Sequence, residues 1–255
     1  MERIIEKIKN TTLFKKIYYG WTFGNKQEIL KDEIKGVFKR TFVKYNEFKE
    51  EIKGYTLYRD IEEGDFVIDA GAYQGFFTVY ASKKAGKRGK VFSFEPIPWN
   101  FRILKKNVLN NKLHNTILVN AGLYNFDGKI RFWAKGGSSR VDNNGNITLK
   151  VVTIDSFLKK RRVEAEKINF VKMDIEGAEI AAVKGATKLI KKGNAFWAIA
   201  SYHMINGKPT FKFIEKFFEK YGYNVLTQNK DHLTTFAWKD DDMEITSNTK
   251  LKWKK

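Results

Sequence analysis

The chain has no cysteine, which excludes disulfides and thiolate metal ligands. It also has no apolar run approaching the ~20 residues needed to cross a membrane. Its first residues, Met1-Glu2-Arg3-Ile4-Ile5-Glu6-Lys7, lack the apolar core of a secretory leader. These absences predict a soluble, cytoplasmic protein. Acidic side chains are outnumbered, 29 Asp and Glu against 48 Lys and Arg, for a formal charge of +19. That balance predicts nonspecific contact with an anionic polymer or membrane surface, although Lys and Glu richness is also a trait of heat-adapted proteins. What is present argues for a packed core. Hydrophobic residues make up 42% of the 255 and aromatics 15%, too much for a disordered chain even with 30% charged. The length suits one moderate domain with an accessory segment, or two small domains.

One stretch organises the rest. Gly64-Asp65-Phe66-Val67-Ile68-Asp69-Ala70-Gly71-Ala72-Tyr73-Gln74-Gly75 reads as a strand ending in a ligand-binding turn. Phe66, Val67 and Ile68 form the short apolar run of a strand covered on both faces in a parallel sheet. Asp69 at its tip is costly unless it accepts from donors, so it is expected to meet backbone amides of the turn or a cationic ligand group. Gly71 and Gly75 permit a tight turn and a close approach of backbone N–H groups to a bound molecule, ahead of a helix whose N-terminus favours negative charge. The spacing is Asp-x-Gly-x-x-x-Gly, not the Gly-x-Gly-x-x-Gly of dinucleotide binders, and by itself it also fits a turn with no ligand. Glu95 sharpens the reading. It ends the next apolar run, Val91-Phe92-Ser93-Phe94, at roughly the ~20-residue remove at which an acidic residue binds a ribose diol.

Residues 1–60 are expected to form a partly helical accessory segment. Ile29, Ile34, Val37 and Phe38 have amphipathic spacing, and Tyr55-Thr56-Leu57-Tyr58 favours a short extended piece. Tyr18, Tyr19, Trp21 and Phe23 either anchor this segment or flank a cleft. From Ile61 apolar strands alternate with helices, which predicts a parallel sheet covered on both sides over residues 61–239. Pro96 and Pro98 start a helix in which Ile97, Phe101, Leu104 and Val108 recur at helical spacing. Further core strands are expected at residues 117–119, 170–174 and 195–200. Residues 129–133 and 147–151 read as short antiparallel strands joined by a glycine- and asparagine-rich loop, expected to be mobile as a lid or a plain hairpin. Phe211, Ile214, Phe218 and Tyr221 line one face of a helix stopped by Gly222, ahead of a terminal hairpin ending at Trp238. Residues 240–255 form a polar, basic tail expected to fray.

With these segments in place, the chain resembles the FkbM-type family of S-adenosylmethionine-dependent methyltransferases. The resemblance rests on Val67-Ile68-Asp69-Ala70-Gly71-Ala72-Tyr73-Gln74-Gly75, on Phe94-Glu95-Pro96-Ile97-Pro98-Trp99-Asn100-Phe101, on Thr153-Ile154-Asp155-Ser156-Phe157-Leu158, and on Val171-Lys172-Met173-Asp174-Ile175-Glu176-Gly177-Ala178-Glu179. Order and spacing agree from about Gly64 to Trp238. One departure is that members often carry a glutamate two positions before the histidine that ends the fifth strand, where this chain has Ser201 before His203.

The resemblance implies a Rossmann-like class I methyltransferase fold, α/β, with a seven-stranded mostly parallel sheet, one antiparallel strand and helices on both faces. It implies S-adenosyl-L-methionine as cofactor, held by Asp69, Gly71, Ala72, Tyr73, Gly75, Glu95, Pro96 and Asp174. It also implies O-methylation of a hydroxyl on a glycan or small metabolite, with Asp174, His203 and Glu176 catalytic. Two alternatives stay open: an RNA or protein substrate, on the strength of the charge, and a non-catalytic relative that would need Asp69 and Glu95 but not Asp174, Glu176 and His203.

A hydroxyl acceptor must lose a proton, and a histidine with its ordinary pKa near ~6.5 suits that task, so His203 reads as a base or else as a buried structural group. Asp174 orients the acceptor or the cofactor's amino group. Glu176 and Glu179 belong to the site or simply complement a helix dipole. A further alternative has Asp174, Glu176 and His203 binding a hard divalent metal, although no fixed ligand spacing marks one. The basic runs at Lys83, Lys84, Lys87, Arg88 and Lys90, at Lys159, Lys160, Arg161 and Arg162, and at Lys188, Lys191 and Lys192 fall at expected helix ends and strand starts. They should therefore lie opposite the strand tips that carry Asp69, Glu95, Asp174 and His203.

Overall fold

The computed structural model describes residues 51–133, 140–141, 144–205, 207–228, 233–239, 243–245 and 251–253. Residues 1–50 and most of the loop between 134 and 143 lie outside them, and with them the amphipathic helix, the aromatic anchors and the mobile loop expected there.

The first half of the fold alternates β1 (Phe66–Ala70), α1 (Phe76–Ala85), β2 (Lys90–Phe94), α2 (Pro98–Asn110) and β3 (Thr116–Val119). Pro98 sits at the start of α2, where its missing N–H costs nothing. A side sheet follows, formed by β4 (Gly122–Leu123), β5 (Gly128–Trp133), β6 (Arg140–Val141) and β7 (Ile147–Val152), with β5 antiparallel to β7 as the sequence predicts. Thr153 then accepts a hydrogen bond from the Ser156 amide and caps α3 (Ile154–Arg161). The second half runs β8 (Ile168–Met173), α4 (Glu179–Lys184), α5 (Thr187–Lys192), β9 (Phe196–Ala200), a small pair β10 (Met204–Ile205) and β11 (Lys208–Pro209), α6 (Phe211–Glu219), β12 (Asn224–Gln228) and β13 (Thr234–Trp238).

The main sheet has seven strands in the order β12-β13-β9-β8-β1-β2-β3. β1, β2, β3, β8 and β9 are parallel, and β13 alone is antiparallel to both neighbours. The chain starts in the middle of the sheet, winds outward to β3, and returns to wind the other way from β8. That reversal opens a crevice beyond the carboxyl ends of β1, β2 and β8.

Strand periodicity sorts the core into two layers. Ile68, Phe92, Phe94, Val171, Met173, Trp197 and Ile199 face α3 to α6. Their neighbours in sequence, Val67, Val91, Phe170, Phe196 and Ala198, face α1 and residues 52–61. On that second side Phe77, Phe170, Phe196 and Phe236 form a row of ring contacts, closed by Tyr58 edge-on against Phe236. Lys172 and Asp69 fall on the same side by the same alternation.

Two expectations near the chain's edges change. Residues 55–58, expected to be extended, instead end a short helix over 51–55 and turn at 56–58, because Tyr55, Tyr58 and Ile61 have a hydrophobic face of the main domain to cover. Within the stretch expected to fray, β14 (Met243–Ile245) pairs with β15 (Leu251–Trp253). The basic runs close α1, α3 and α5 and so mark the strand starts, away from the crevice. Among the described residues, no helix is long and apolar enough to cross a membrane.

Arg59 and Asp65 lock the entry to β1. Both are buried, and the guanidinium donates twice to the carboxylate at 2.8 and 2.9 Å while also lying over the Phe170 ring. Arg59→Leu leaves Asp65 buried without its counter-charge and is expected to lower unfolding free energy by about 3 kcal/mol in a denaturant titration. A loss below about 1 kcal/mol would mean that the pair contributes no more than a surface bridge.

Candidate functional site

The turn after β1 is held from three sides. The Gly71 and Ala72 amides both donate to the Phe94 carbonyl at the end of β2, and Lys172 Nζ donates to the Gly71 carbonyl at 2.9 Å. Gly71 has φ 77, and a Cβ there would lie 1.8 Å from the Asp174 carbonyl oxygen, so only glycine lets the two strand tips pass this closely. Tyr73 also takes a left-handed backbone, φ 49, before α1 begins at Phe76. No side chain caps that helix and its first turn carries no acid, so its N-terminal partial positive charge has no acidic partner within the helix itself.

Glu95 stands at the tip of β2. Its two oxygens are each fixed by a backbone amide, Oε2 by Tyr73 at 2.9 Å and Oε1 by Ile97 at 2.8 Å. Asn120 donates to the Glu95 carbonyl, tying the tip to the end of β3. Burial pushes the Glu95 carboxyl up to about 8, against the pull of the two amides and of Asn100. With two amides and Asn100 on it, the carboxylate retains acceptor capacity for a ligand hydroxyl. Pro96 follows directly and packs against Gly122.

Asp69 is not a ligand-facing residue at its carboxylate. It is fully buried beneath the turn, accepts from the Thr78 hydroxyl at 2.6 Å, and has Lys172 Nζ 3.4 Å from its other oxygen. The donors expected from turn amides or a ligand are thus supplied by α1 and β8, because Asp69 lies opposite Lys172 and Ser93 in the sheet register. Burial alone would discharge Lys172, but the charges of Asp69 and Asp174 outweigh it and raise its pKa.

The third tip carries the acidic cluster. Asp174 follows β8, with its amide on the Ala70 carbonyl and its carboxylate accepting from the Tyr55 hydroxyl at 2.9 Å. Burial and the charge of Asp174 raise the Tyr55 pKa well above 10, which keeps the phenol a donor. Glu176 has φ 56 and Gly177 φ 92, a left-handed turn that sends Glu176 outward and Glu179 inward. Glu179 is fully buried and accepts from the Ile175 and Gly177 amides.

His203, arriving from the end of β9, completes the cluster. Its Nδ1 lies 3.1 Å from Glu179 and its Nε2 3.5 Å from Glu176, though neither is aligned as a hydrogen bond. Ser201 is buried and accepts from the Thr235 hydroxyl, and the carboxylates around His203 come from the residues that follow β8. Burial opposes charge on His203, yet Glu179, with Glu176 and Asp174, holds its pKa well above 6.5. The ordinary value of a free imidazole therefore does not carry over to this site.

The FkbM methyltransferase domain model matches residues 69–225, from the tip of β1 into β12. The chain belongs to that family. A hexuronic acid methyltransferase of Haloferax volcanii is 32% identical over 143 residues, covering 54% of this chain and 56% of that protein. A methyltransferase of Sordaria araneosa is 26% identical over 161 residues, covering 49% and 62%. The chain therefore spans little more than half the length of these curated relatives. An FkbM methyltransferase structure from Methylobacillus flagellatus superposes with a TM-score of 0.54 at 17% identity over 68% of this chain and 43% of that one. The sheet is the seven-stranded sheet of the class I methyltransferases, as the resemblance implied.

Three of the four segments that carry the resemblance map onto the adjacent tips of β1, β2 and β8, and the fourth, residues 153–158, caps and opens α3. Sequence reasoning missed Lys172, Thr78 and Tyr55. A lysine in the apolar run Phe170-Val171-Lys172-Met173 was a legible signal, since a buried strand cannot carry an uncompensated cation. Tyr55 gave none.

The two glycines of this FkbM site differ in what they tolerate. Gly71→Ala forces Cβ into Asp174's backbone and is expected to cost more than ~3 kcal/mol or prevent folding. Gly177→Ala meets nothing within 4 Å and should cost only the ~1–2 kcal/mol of a left-handed alanine. Thermal denaturation of both variants checks this, and equal losses would refute the close approach at Gly71.

Proposed function

We propose that this methyltransferase uses S-adenosylmethionine to methylate a hydroxyl on a sugar or small hydroxylated metabolite. The observation that carries the reading is the pairing of the β1 turn and the uncapped α1 N-terminus with Glu95, each of whose oxygens is fixed by one backbone amide. A nucleoside with a ribose diol and a carboxylate fits that donor and acceptor set: the diol onto Glu95, the carboxylate toward the helix end. The sugar preference is supported by the relative from Haloferax volcanii, named for a hexuronic acid acceptor.

When bound, the cofactor supplies a methyl group on a sulfonium that is already activated as a leaving group. The chain's residues then have to align the acceptor, exclude water and take its proton. Asp174, fixed by Tyr55, orients the acceptor. Glu176 is 35% exposed against 0% for Glu179 and 12% for His203, so it is the member of that trio most open to an incoming hydroxyl and the one assigned the proton. His203 Nε2 lies 3.5 Å from the Glu176 carboxylate and sets its place beside the cluster.

The test is calorimetric titration with S-adenosylmethionine between pH 6 and 9. Ribose hydroxyls donate to the ionised carboxylate, so below about 8 binding has to release the proton of Glu95. Affinity should rise with pH, by at most about tenfold per unit, and level off above about 8. Glu95→Gln should weaken binding by on the order of 1.5–3 kcal/mol and remove the pH dependence. Unchanged affinity in that variant, or no binding by the wild type, would overturn the reading.

The charge makes a second prediction. Because Lys159, Lys160, Arg161 and Arg162 end α3 on the far edge, neutralising all four should leave methyl transfer within about twofold at moderate salt. A large loss that salt does not mimic would bring that edge, and an anionic polymer acceptor, into the site.

A further inference from the structure

Asp174, Glu179 and His203 reach one small volume from two strand ends. One carboxylate oxygen of each acid and one imidazole nitrogen all lie within 4.8 Å of one another. Adjacent donors on a divalent ion with ligands at about 2.0–2.4 Å stand roughly 3–3.4 Å apart, so modest side-chain rotations close the set. Glu179 is fully buried and His203 is 12% exposed, yet Glu179 Oε2 and both His203 nitrogens lack a hydrogen-bond partner. Buried polar atoms are rarely left so unless something else completes them. The other Glu179 oxygen is pinned by the Ile175 and Gly177 amides, the kind of outer support that fixes a ligand's direction.

We infer that Asp174, Glu179 and His203 form a site for one divalent cation, with its open positions on the Glu176 side available to oxygens of the acceptor. Two carboxylates with one imidazole suit manganese better than magnesium or calcium, and with no cysteine the softer thiolate metals have no ligand here. The set differs from the alternative read in the sequence, in which Glu176 stood in place of Glu179. The left-handed turn at Glu176 and Gly177 is what exchanges them. Assigning the open positions to the acceptor rests on the proposed methyl transfer; the site itself does not.

The full chain, stripped with EDTA and dialysed, is titrated with manganese(II) chloride while free ion is followed by electron paramagnetic resonance. Saturable binding of one equivalent is expected, weakened at least about tenfold in His203→Gln and in Glu179→Gln. Pulsed measurement on the wild type should show coupling to a nitrogen, which keeps the inference testable should either variant fail to fold. Non-saturating uptake of several equivalents, binding without nitrogen coupling, or unchanged binding in folded variants would overturn it. Calorimetry with S-adenosylmethionine on the same stripped protein separates the two readings. Cofactor binding without manganese binding sinks only the cation site, and manganese binding without cofactor binding sinks only its link to methyl transfer.

Discussion

Lys172 and Asp69 face each other across β8 and β1 with side chains 5% and 0% exposed, and the functional edge of the sheet depends on that contact. A lone charge in either position would cost several kcal/mol, so neither is tolerable without the other. The lysine does more than neutralise. Its donation to the Gly71 carbonyl fixes the turn from below, while Thr78 from α1 takes the second Asp69 oxygen. Strand, turn and helix are thereby referred to one buried cation, and the amides at the end of α1 inherit their direction from it.

From that point the other two tips are built outward by backbone contacts. Phe94 receives the Gly71 and Ala72 amides, and Ala70 receives the Asp174 amide, so the ends of β1, β2 and β8 stay in register past the last paired residues. Glu95 and Asp174 are consequently presented on either side of the glycine turn. Without a Cβ at Gly71 the β8 tip closes over the turn.

Charge is divided between the two ends of the sheet. Acids gather at the carboxyl tips and bases at the helix C-termini, an arrangement that helix dipoles favour independently of any ligand. Membership of the FkbM family and the class I sheet agree with a crevice at the acidic end.

Much of this was determined by sequence alone. Strand runs alternating with amphipathic helices, Gly71 and Gly75 after an apolar run, and Glu95 at the next strand end are local patterns, because period and turn chemistry depend on near neighbours. The tertiary structure decided what those patterns could not contain. Tyr55 meets Asp174 across 119 positions, which no periodicity encodes. Glu176 and Glu179 look equivalent in sequence, and only the backbone at Glu176 and Gly177 turns one to solvent and buries the other against His203. The ordinary pKa of His203 was likewise a property of the isolated side chain. Three carboxylates brought from another strand end replaced it, since electrostatics depends on distance in space and not along the chain.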